Sequence, residues 1–563
     1  MTSIINELDA NPRWPEARWL FVAENLALTG MEIERLAYRY AAKLKSLGID
    51  SQSKVGLVFG NTSDYVALLI AIWRLNAIAV PLRPRVNKYL ESDHSLYKCN
   101  QVCDFRLIIY ADSASPSVFS GWMEKPGKCA LSMETFKATA EAETALEGAS
   151  PADEEIAVLQ FSSGSTGQPK AVIVTHAMVM AQLRSLHHNH IQFRQGEAVA
   201  SSASWLPVNH DMGLFIGVLK PLHSGCNNIL APPEYYIRNP ARWYKLLSEH
   251  HVDLTFTTNS ALISSLNAIQ RLQRDNGVDL SKLHLYIAAE KVSPIILKRC
   301  YKLFPLLKMP LENIHIGYGM AENALGCTCT RTPRVGMSRF LINDMKQAEP
   351  VADNVPNSLE LVSVGSPDQQ CDITIRDADD NPLPELCVGE INIKSPCISP
   401  GYYNNSEASR KQFTDGRFHS GDLGFFYQGE LYFLSRQDDM ITVGGRNIIP
   451  DDVEELVEGL DFVKPTASCL ISTENYSTGG TQLVLLLEAN SPIEKSTAKR
   501  YSEIVQGHLF SAMELLVSSI VFCAKGSIEK TSSGKKRRKI IRQRYITNQL
   551  EQVGILDEIK TTV

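Results

Sequence analysis

The sequence predicts an α/β protein in which buried parallel strands alternate with helices. Three short apolar runs rich in β-branched residues, at residues 54–59, 77–82 and 106–111, are typical of buried parallel strands. A helical pattern at residues 63–76 lies between the first two runs, which favours βαβ units. The chain has 563 residues, and because one core rarely exceeds about 250 to 300 residues, two or more domains are expected.

The pattern changes near Val388, where the runs become shorter and turn residues become frequent. Runs bounded by Gly, Asp or Asn are typical of antiparallel hairpins. The expected elements are strands at residues 389–395, 429–436, 439–447 and 483–489 and helices at residues 451–460 and 495–510. We place a domain boundary close to residues 435–439. Before it, residues 331–358 lose strand periodicity and are expected to form an insertion or an extended loop.

Composition and charge exclude several classes of protein. The formal net charge of -6 gives no basic field for nucleic acid, so we expect no nucleic-acid partner. The 12 cysteines are scattered and lack the C-x-x-C spacing of a zinc site, which indicates reduced thiols. The N-terminus lacks the pattern of a secretory signal, and Arg74 and Asn76 interrupt the longest apolar stretch, residues 66–82. A soluble, cytoplasmic protein with no membrane span is expected.

The stretch FSSGSTGQPKAVIVTH, residues 161–176, places small hydroxyl and glycine residues before a lysine and then becomes apolar. Glycine permits the dihedral angles that turn successive amides toward one anion, so such a loop can hold a phosphate. It is not a Walker A loop, because the spacing of Gly164, Gly167 and Lys170 does not fit G-x-x-x-x-G-K-[ST]. A Ser/Gly run taken alone is more often a flexible turn, so the interpretation depends on the other motifs.

Six motifs along the chain resemble those of the adenylate-forming superfamily. They are LQFSSGSTGQPK at 159–170, WLPVNHDMGL at 205–214, YGMAEN at 318–323, FHSGDLGFF at 418–426, SRQDDMITVGGRN at 435–447 and EKTSSGKKRR at 529–538. The similarity covers almost the whole chain and is strongest to the fatty acyl-AMP ligases. It implies a large N-terminal domain with a small β-barrel-like subdomain, residues 1–435, a hinge at 436–439, and a mobile α+β C-terminal domain, residues 440–563.

The function that this resemblance implies is ATP-dependent activation of a carboxylic acid, in the first place a fatty acid. The acid would attack the α-phosphorus of ATP, release pyrophosphate and form acyl-AMP, and the acyl group would pass to the phosphopantetheine thiol of an acyl carrier protein. Because two anions must meet, catalysis is largely charge neutralisation and positioning. ATP and Mg²⁺ are the implied cofactors. The alternatives are an acyl-CoA synthetase of the same superfamily and an adenylate-binding pseudoenzyme.

The resemblance also implies roles for single residues in these motifs. The phosphate cradle would consist of Ser162, Ser163, Gly164, Ser165, Thr166, Gly167 and Lys170, with Thr166 also catalytic. Tyr318, Gly319 and Met320 would contact the nucleotide, although core packing is an equal alternative for Tyr318. Asp422 would accept hydrogen bonds from the ribose hydroxyls, and Arg436 would contact ribose and phosphate.

Three charged residues would complete the chemistry. Glu322 would organise magnesium together with phosphate oxygens and water. Lys535 would bridge the α-phosphate and the attacking carboxylate, a task that suits a point charge on a flexible stem. Asp438 would be the hinge about which the C-terminal domain rotates, and a rigid turn is the alternative. The basic residues beyond Lys535 are interpreted as a solvated tail.

The acyl pocket is expected to involve His210, Asp211, Gly213, Asn259 and Ala289. A carboxylate nucleophile is already ionised at neutral pH and needs no base, so His210, which is counted among the catalytic residues, is expected to bind and gate rather than to remove a proton. A purely structural histidine is the alternative. The segment AAEKV, residues 288–292, departs from the usual Gly-Ala-Glu-Pro-Val, and Lys291 adds a cation. These departures favour a shorter, branched or functionalised acid.

Overall fold

The structure is a computed structural model in which most of the chain is described. It covers residues 3–83, 93–112, 128–140, 151–162, 169–194, 196–271, 277–331, 335–343, 346–353, 355–356, 358–443, 446–474, 481–491, 493–513, 515–530, 534–550 and 552–555. These residues form a large N-terminal domain and a smaller C-terminal domain, both with mixed helices and strands.

A nine-stranded sheet lies at the centre of the N-terminal domain. In spatial order its strands are Ser366–Pro367, Gly326–Cys329, Ile314–Gly319, His284–Ile287, Leu254–Thr257, Ser201–Ser204, Asn227–Leu230, Arg18–Phe21 and Leu26–Thr29. The pairs from Ile314–Gly319 to Arg18–Phe21 are parallel, and the strands at both edges are antiparallel.

A six-stranded sheet packs beside the first one. Its order is Cys129–Ser132, Leu107–Tyr110, Lys54–Val58, Ile78–Leu82, Ile156–Ser162 and Lys170–Thr175. The strand Lys54–Val58 pairs in parallel with both Ile78–Leu82 and Leu107–Tyr110, as the sequence predicts. The last pair is antiparallel, so the chain reverses direction between Ser162 and Lys170.

Helices cover both sheets. In the N-terminal domain they are Ile4–Ala10, Gly30–Ser46, Ser63–Arg74, Asp93–Cys103, Met133–Ala138, His176–Phe193, Asp211–Leu214, Lys220–Ser224, Pro233–Arg238, Pro240–Glu249, Asn259–Ile269, Pro294–Leu303 and Ser406–Gln412, with a π-helical turn at Phe215–Leu219 and 3₁₀ turns at Trp14–Glu16, Phe304–Leu307, Leu311–Asn313 and Ala321–Asn323. The helix Ser63–Arg74 is buried on almost every side. Its one buried cation, Arg74, is compensated by Asp9 at 2.7 Å and Glu34 at 2.8 Å.

Two antiparallel sheets complete the N-terminal domain. One contains Ala348–Val351, Met337–Ile342 and Leu359–Val362, and the other contains Asp372–Arg376, Gly389–Lys394, Arg417–Tyr427, Phe413–Thr414 and Glu430–Arg436. A common core with Phe340, Leu361, Phe425 and Tyr432 joins them. The expectation of an extended loop at residues 331–358 was therefore wrong for its described part, which contains the paired strands Met337–Ile342 and Ala348–Val351. That this segment is an insertion stays a prediction.

The C-terminal domain has its own apolar core. After a 3₁₀ turn at Gln437–Asp439, a two-stranded ribbon of Ile441–Val443 and Arg446–Ile448 leads into the helix Pro450–Glu458. A four-stranded sheet follows, with the order Val463–Glu474, Thr481–Ala489, Ser519–Cys523 and Gln552–Ile555, and is covered by the helices Lys495–Met513 and Arg538–Ile546. In the described part of the chain, no helix is both long and apolar enough to cross a bilayer.

Candidate active site

A cleft with a volume of about 1930 Å³ is lined by residues from both large sheets and from the C-terminal domain. Its walls contain most of the described residues that the sequence assigns to a site. These are Lys170, His210, Asp211, Asn259, Ala289, Tyr318, Gly319, Met320, Glu322, Asp422, Arg436, Asp438 and Lys535. The fold therefore brings motifs that are far apart in the sequence to one surface.

Most of the predicted phosphate loop lies outside the described residues. This applies to Ser163, Gly164, Ser165, Thr166 and Gly167. The strands on either side are described, and Ser162 lies opposite Lys170 in antiparallel register. The phosphate-binding role of this loop remains a prediction.

Lys170 lies at the start of the strand that follows this loop. Its ammonium group donates a hydrogen bond of 2.8 Å to Gln412 Oε1 and lies 4.6 Å from the centre of the Tyr402 ring. Burial lowers the pKa of Lys170, and Glu322 partly offsets this effect. The side chain is thus positioned in the cleft by one amide oxygen and one aromatic face.

Tyr402 connects Lys170 to Glu322 and was not predicted from the sequence. Its hydroxyl lies 2.9 Å from Glu322 Oε1 and 2.7 Å from Gln412 Oε1, and it can donate to one of them at a time. Burial, followed by the charge of Glu322, raises the pKa of Tyr402, so the group is a neutral donor. The segment SPGYYNN around it has the composition of a turn, and nothing in that composition indicates a position in the cleft.

Glu322 is the predicted magnesium residue. Among the described residues, no group of three or more His, Cys, Asp and Glu side chains is arranged to hold a metal ion. A cation at Glu322 would therefore need oxygen ligands from a bound substrate and from water, which is the coordination that Mg²⁺ commonly has beside phosphates.

Asp422 lies between Tyr318 and Arg436. The Tyr318 hydroxyl donates to Asp422 Oδ2 at 2.7 Å, and Arg436 Nε donates to Oδ1 at 3.1 Å. The antiparallel register places Asp422 directly opposite Arg436, so the two strands fix this pair. Asp422 raises the pKa of Arg436, and burial raises the pKa of Tyr318. Each carboxylate oxygen keeps lone-pair capacity, so the group can still accept hydrogen bonds from a ligand.

His210 and Asp211 begin the short helix Asp211–Leu214. His210 Nδ1 lies 2.6 Å from Asp211 Oδ1, and the backbone amide of Met212 donates to the same oxygen at 2.6 Å. Burial alone would raise the pKa of Asp211, but His210, Met212 and Lys535 together hold it below its usual value. The lowered pKa means that this carboxylate is ionised at neutral pH.

Gly213 lies beside His210 and Asp211 and has a structural role. It is buried and is not among the residues that line the cleft in the described part of the chain. A Cβ atom at this position would lie 1.9 Å from the carbonyl oxygen of Pro207. Gly213 thus permits the close approach that positions His210 and Asp211.

Asn259 and Ala289 lie on a neighbouring part of the cleft. Asn259 Oδ1 accepts a hydrogen bond of 3.1 Å from the backbone amide of Ser293. Ala289 has a φ angle of 71°, in the left-handed region that alanine rarely adopts. Such backbone strain is common at functional sites, where surrounding contacts hold it in place.

Lys535 enters the cleft on a loop of the C-terminal domain. Its positive charge acts on both Asp211 and Glu290 and lowers the pKa of each carboxyl, although burial keeps the pKa of Glu290 raised overall. The preceding Gly534 has φ 93°, and a Cβ atom there would lie 2.4 Å from Glu290 Oε1. This glycine allows the loop to approach the N-terminal domain closely.

The expectation of a solvated tail after Lys535 was wrong for Lys536 and Arg538, whose side chains are only 16% and 11% exposed. Lys536 Nζ lies 2.6 Å from Glu454 Oε2 and 3.0 Å from Glu458 Oε1. Arg538 pairs with Glu454 and Asp451. Glu454 is only 1% exposed, so these cations compensate a buried charge. They anchor the loop that presents Lys535.

Comparisons with known protein families match almost the whole chain. The family model described as AMP-binding enzyme matches residues 8–403, which is more than half of the chain. A second model, described as Disco-interacting protein 2-like, AMP domain, matches residues 438–554. Among curated proteins, the long-chain-fatty-acid–AMP ligase FadD26 of Mycobacterium marinum is 28% identical over 71% of each chain. The putative fatty-acid–CoA ligase fadD25 of Mycobacterium tuberculosis is 26% identical over 93% of this chain and 92% of its own length.

Solved structures share the fold. A structure from studies of fatty acyl-adenylate ligases of E. coli and L. pneumophila superposes with a TM-score of 0.87, 25% identity and 98% coverage of both chains. The fatty acid AMP ligase from Legionella pneumophila covers 98% of this chain and 97% of its own, with a TM-score of 0.71 and 23% identity. The predicted α/β fold with a large N-terminal and a smaller C-terminal domain is confirmed, and so is the predicted ligase class. The chain belongs to the AMP-binding enzyme family.

Proposed function

We propose that this chain activates a carboxylic acid with ATP to form acyl-AMP and then passes the acyl group to the phosphopantetheine thiol of a carrier protein. In the first step a carboxylate oxygen attacks the α-phosphorus, and the bond to pyrophosphate breaks. In the second step the thiol sulfur attacks the acyl carbon, and AMP leaves. Both steps need a site that neutralises and aligns charged reactants.

The observation that carries this proposal is the position of Lys535. Its loop belongs to the C-terminal domain, yet its charge acts on Asp211 and Glu290 of the N-terminal domain. A cation that lines the cleft from a second domain suits an electrostatic bridge between a phosphate and a carboxylate. A protein that only binds adenylate would gain nothing from such a cation.

The residues present also fit ATP and Mg²⁺. Asp422 and Tyr318 would hold the ribose and adenine, Arg436 and Lys170 would face the phosphates, and the loop 162–167 would supply backbone amides. A magnesium ion held by Glu322, phosphate oxygens and water would supply positive charge where the leaving pyrophosphate gathers negative charge. Gly319 and Met320 line the same part of the cleft.

The transfer step requires the C-terminal domain to move. We assign the domain boundary and hinge to residues 436–439, with Asp438 as the pivot. Asp438 is exposed, and its Oδ2 lies 2.9 Å from Lys539 Nζ at the start of the last long helix. Such an exposed pair can be exchanged for water at little cost when the domain rotates.

The second step depends on which thiol accepts the acyl group. A carrier protein is favoured by the names of relatives such as the long-chain-fatty-acid–AMP ligase FadD26, and coenzyme A by the name of fadD25. The strands of residues 337–362 pack on the sheet that leads into the hinge, where they would restrict domain rotation. Restricted domain rotation favours a carrier protein over coenzyme A as the acceptor.

Pyrophosphate release with a panel of carboxylic acids, ATP and Mg²⁺ tests the first step. Mass spectrometry of the products with coenzyme A or with a phosphopantetheinylated carrier protein tests the second. We expect pyrophosphate release with at least one acid, acyl-AMP as the product without an acceptor, and transfer to the carrier only. If no acid supports pyrophosphate release, the enzymatic function is refuted, and acyl-CoA formed at the rate of adenylation would refute the acceptor.

A further inference from the structure

One wall of the cleft has an unusual chemical character. It lies between the helix His176–Phe193 and the strands of the nine-stranded sheet, and we call it the helix-side wall. It consists of Leu186, Asn189, His190, Phe256, Tyr286, Cys329 and Asp368. None of these residues takes part in the proposed ATP site or in the approach of Lys535. If the acyl group of the substrate were an unsubstituted aliphatic chain, only the apolar side chains of this wall would be needed to bind it.

The imidazole ring of His190 adds two polar atoms to this wall. It is only 2% exposed, and its ring lies 5.1 Å from Tyr286 and 6.1 Å from Phe256, both in edge contacts. Within the described residues, neither Nδ1 nor Nε2 has a hydrogen-bond partner. Buried polar atoms in proteins are nearly always hydrogen-bonded. Because His190 also lines the cleft, a polar group of a bound acid is a partner that these nitrogens can take.

His190 is a neutral imidazole in this position. Burial holds its pKa well below the ordinary value, and the nearby Lys220 and His315 add to this effect. A neutral imidazole has one donating and one accepting nitrogen. A hydroxyl group also donates and accepts, so the two groups are complementary.

Asp368 and Asn189 make the same wall polar. Asp368 is 4% exposed, and its Oδ1 and Oδ2 accept hydrogen bonds of 2.8 Å from Asn189 Nδ2 and Ser185 Oγ. Each oxygen can accept a second hydrogen bond. A carboxylate on a ligand would be repelled by Asp368, and an unsubstituted alkyl chain would leave His190 unsatisfied. A hydroxyl group is attracted by both side chains.

We propose that the acid activated by this enzyme carries a hydroxyl group away from its carboxylate, and that His190 binds this hydroxyl beside Asp368 and Asn189. His190 is thus a specificity-determining residue of the acyl pocket. This inference rests on the proposed function, since it concerns the acid that is adenylated. It narrows the expected substrate from carboxylic acids in general to hydroxylated ones.

Matched pairs of acids test this inference. The probes are ω-hydroxylated and unsubstituted straight-chain acids of several lengths, and phenylalkanoic acids with and without a ring hydroxyl, compared by pyrophosphate release. We expect the hydroxylated member of at least one pair to have a kcat/KM roughly 10- to 100-fold higher than the unsubstituted member. An acid without the hydroxyl group leaves the buried polar atoms of this wall unpaired. Equal values in every pair would overturn the inference, and this outcome needs no variant.

Variants locate the effect. His190→Phe keeps the ring and removes both nitrogens, so the ratio within the preferred pair should fall close to one, mainly through loss of activity on the hydroxylated acid. His190→Gln keeps a donor and an acceptor and should retain part of the preference. The matched control is His176→Phe, since His176 lies on the same helix, is 0% exposed with both ring nitrogens unpartnered among described residues, and does not line the cleft.

The outcomes separate the two proposals. Thermal unfolding of each variant establishes that it is folded. A hydroxyl preference that survives in His190→Phe would assign recognition to other residues and overturn the role of His190. Turnover of unsubstituted acids without any hydroxyl preference would overturn this inference and leave the proposed function intact, whereas failure of all acids would refute the proposed function.

Discussion

The ammonium nitrogen of Lys291 lies 2.6 Å from Oδ1 of Asp452, and this ion pair joins the two domains. Each side chain is 15% exposed, so the pair is largely removed from water. Beside it, the hydroxyl of Ser293 donates to Glu455 of the same C-terminal helix. Both contacts stabilise the arrangement in which Lys535 lies close to Asp211 and Glu290. Lys291, the cation in the segment AAEKV, therefore forms an ion pair with the C-terminal domain.

The first prediction concerns this interface. Lys291→Met removes the charge and leaves Asp452 as a partly buried carboxylate without its cation, which disfavours this domain arrangement. We expect adenylation, measured as pyrophosphate release, to fall roughly 3- to 10-fold. This corresponds to a change of about 1 kcal/mol in the free-energy difference between the two domain arrangements. Transfer from preformed acyl-AMP should be unchanged or faster. A normal adenylation rate in this variant would contradict the role of the pair.

Two further variants serve as controls for the interface. Exchanging the charges with Lys291→Asp and Asp452→Lys in one protein should restore part of the adenylation rate, because the attraction is retained. Lys298→Met removes a lysine that is 53% exposed and pairs with Glu360 within the N-terminal domain. Exposed pairs contribute little, so this variant should behave like the wild type.

The fold could be predicted where local pattern and burial agree. The strands Lys54–Val58 and Ile78–Leu82 and the helix Ser63–Arg74 follow directly from continuous apolar runs. The strand Met337–Ile342 was not predicted, because only Phe340 is fully buried and the others are partly exposed. Although Met337–Ile342 lies between the other two strands of its small sheet, one fully buried side chain leaves too little periodicity to be recognised.

The sequence could predict those site residues whose motif by itself indicates a chemical role. Asp422, Arg436, Glu322 and Lys535 all line the cleft, as their motifs indicate. Tyr402 could not be found in this way, since its importance comes from contacts with residues distant in sequence. The same holds for Glu454, whose partners are about 80 residues further along the chain. Tertiary proximity, rather than residue type, assigns these roles.

The second prediction concerns Lys535. Lys535→Ala removes the cation proposed to bridge phosphate and carboxylate, and we expect adenylation to fall by about two to three orders of magnitude, as for the loss of one electrostatic stabiliser in other enzymes. Transfer from preformed acyl-AMP should remain nearly normal, since the domain has then rotated. Lys525→Ala, at an exposed position of the same domain, is the control. Equal losses in both half-reactions would contradict the domain rotation.

The third prediction concerns the anchor of the Lys535 loop. Glu454→Gln leaves Arg538 and Lys536 without their main buried partner, and removal of one member of a buried ion pair costs about 3 to 5 kcal/mol. We expect a lower unfolding temperature of the C-terminal domain and faster hydrogen exchange in Leu470, whose amide donates to Glu454 Oε1 at 2.6 Å. Glu249→Gln, at an exposed position, should change neither. Unchanged exchange in the Glu454 variant would show that the anchor is unimportant.

The last prediction concerns two buried histidines on neighbouring strands. His284 Nδ1 lies 2.9 Å from His315 Nε2, and burial lowers the pKa of His284 to about 4 and that of His315 to about 3, from an ordinary value of 6.5. The unfolded chain therefore binds protons at these sites that the folded chain does not, once the pH falls below about 6.5. Their contribution to stability is present above that pH and is lost progressively as the pH falls toward the folded values, by about 1.4 kcal/mol per pH unit for each histidine at most. Urea unfolding at several pH values between 7.5 and 5 should show this loss, and replacing both histidines with phenylalanine should reduce its slope, whatever the absolute stability of the variant. An identical slope in the two proteins would mean that other groups cause the acid sensitivity.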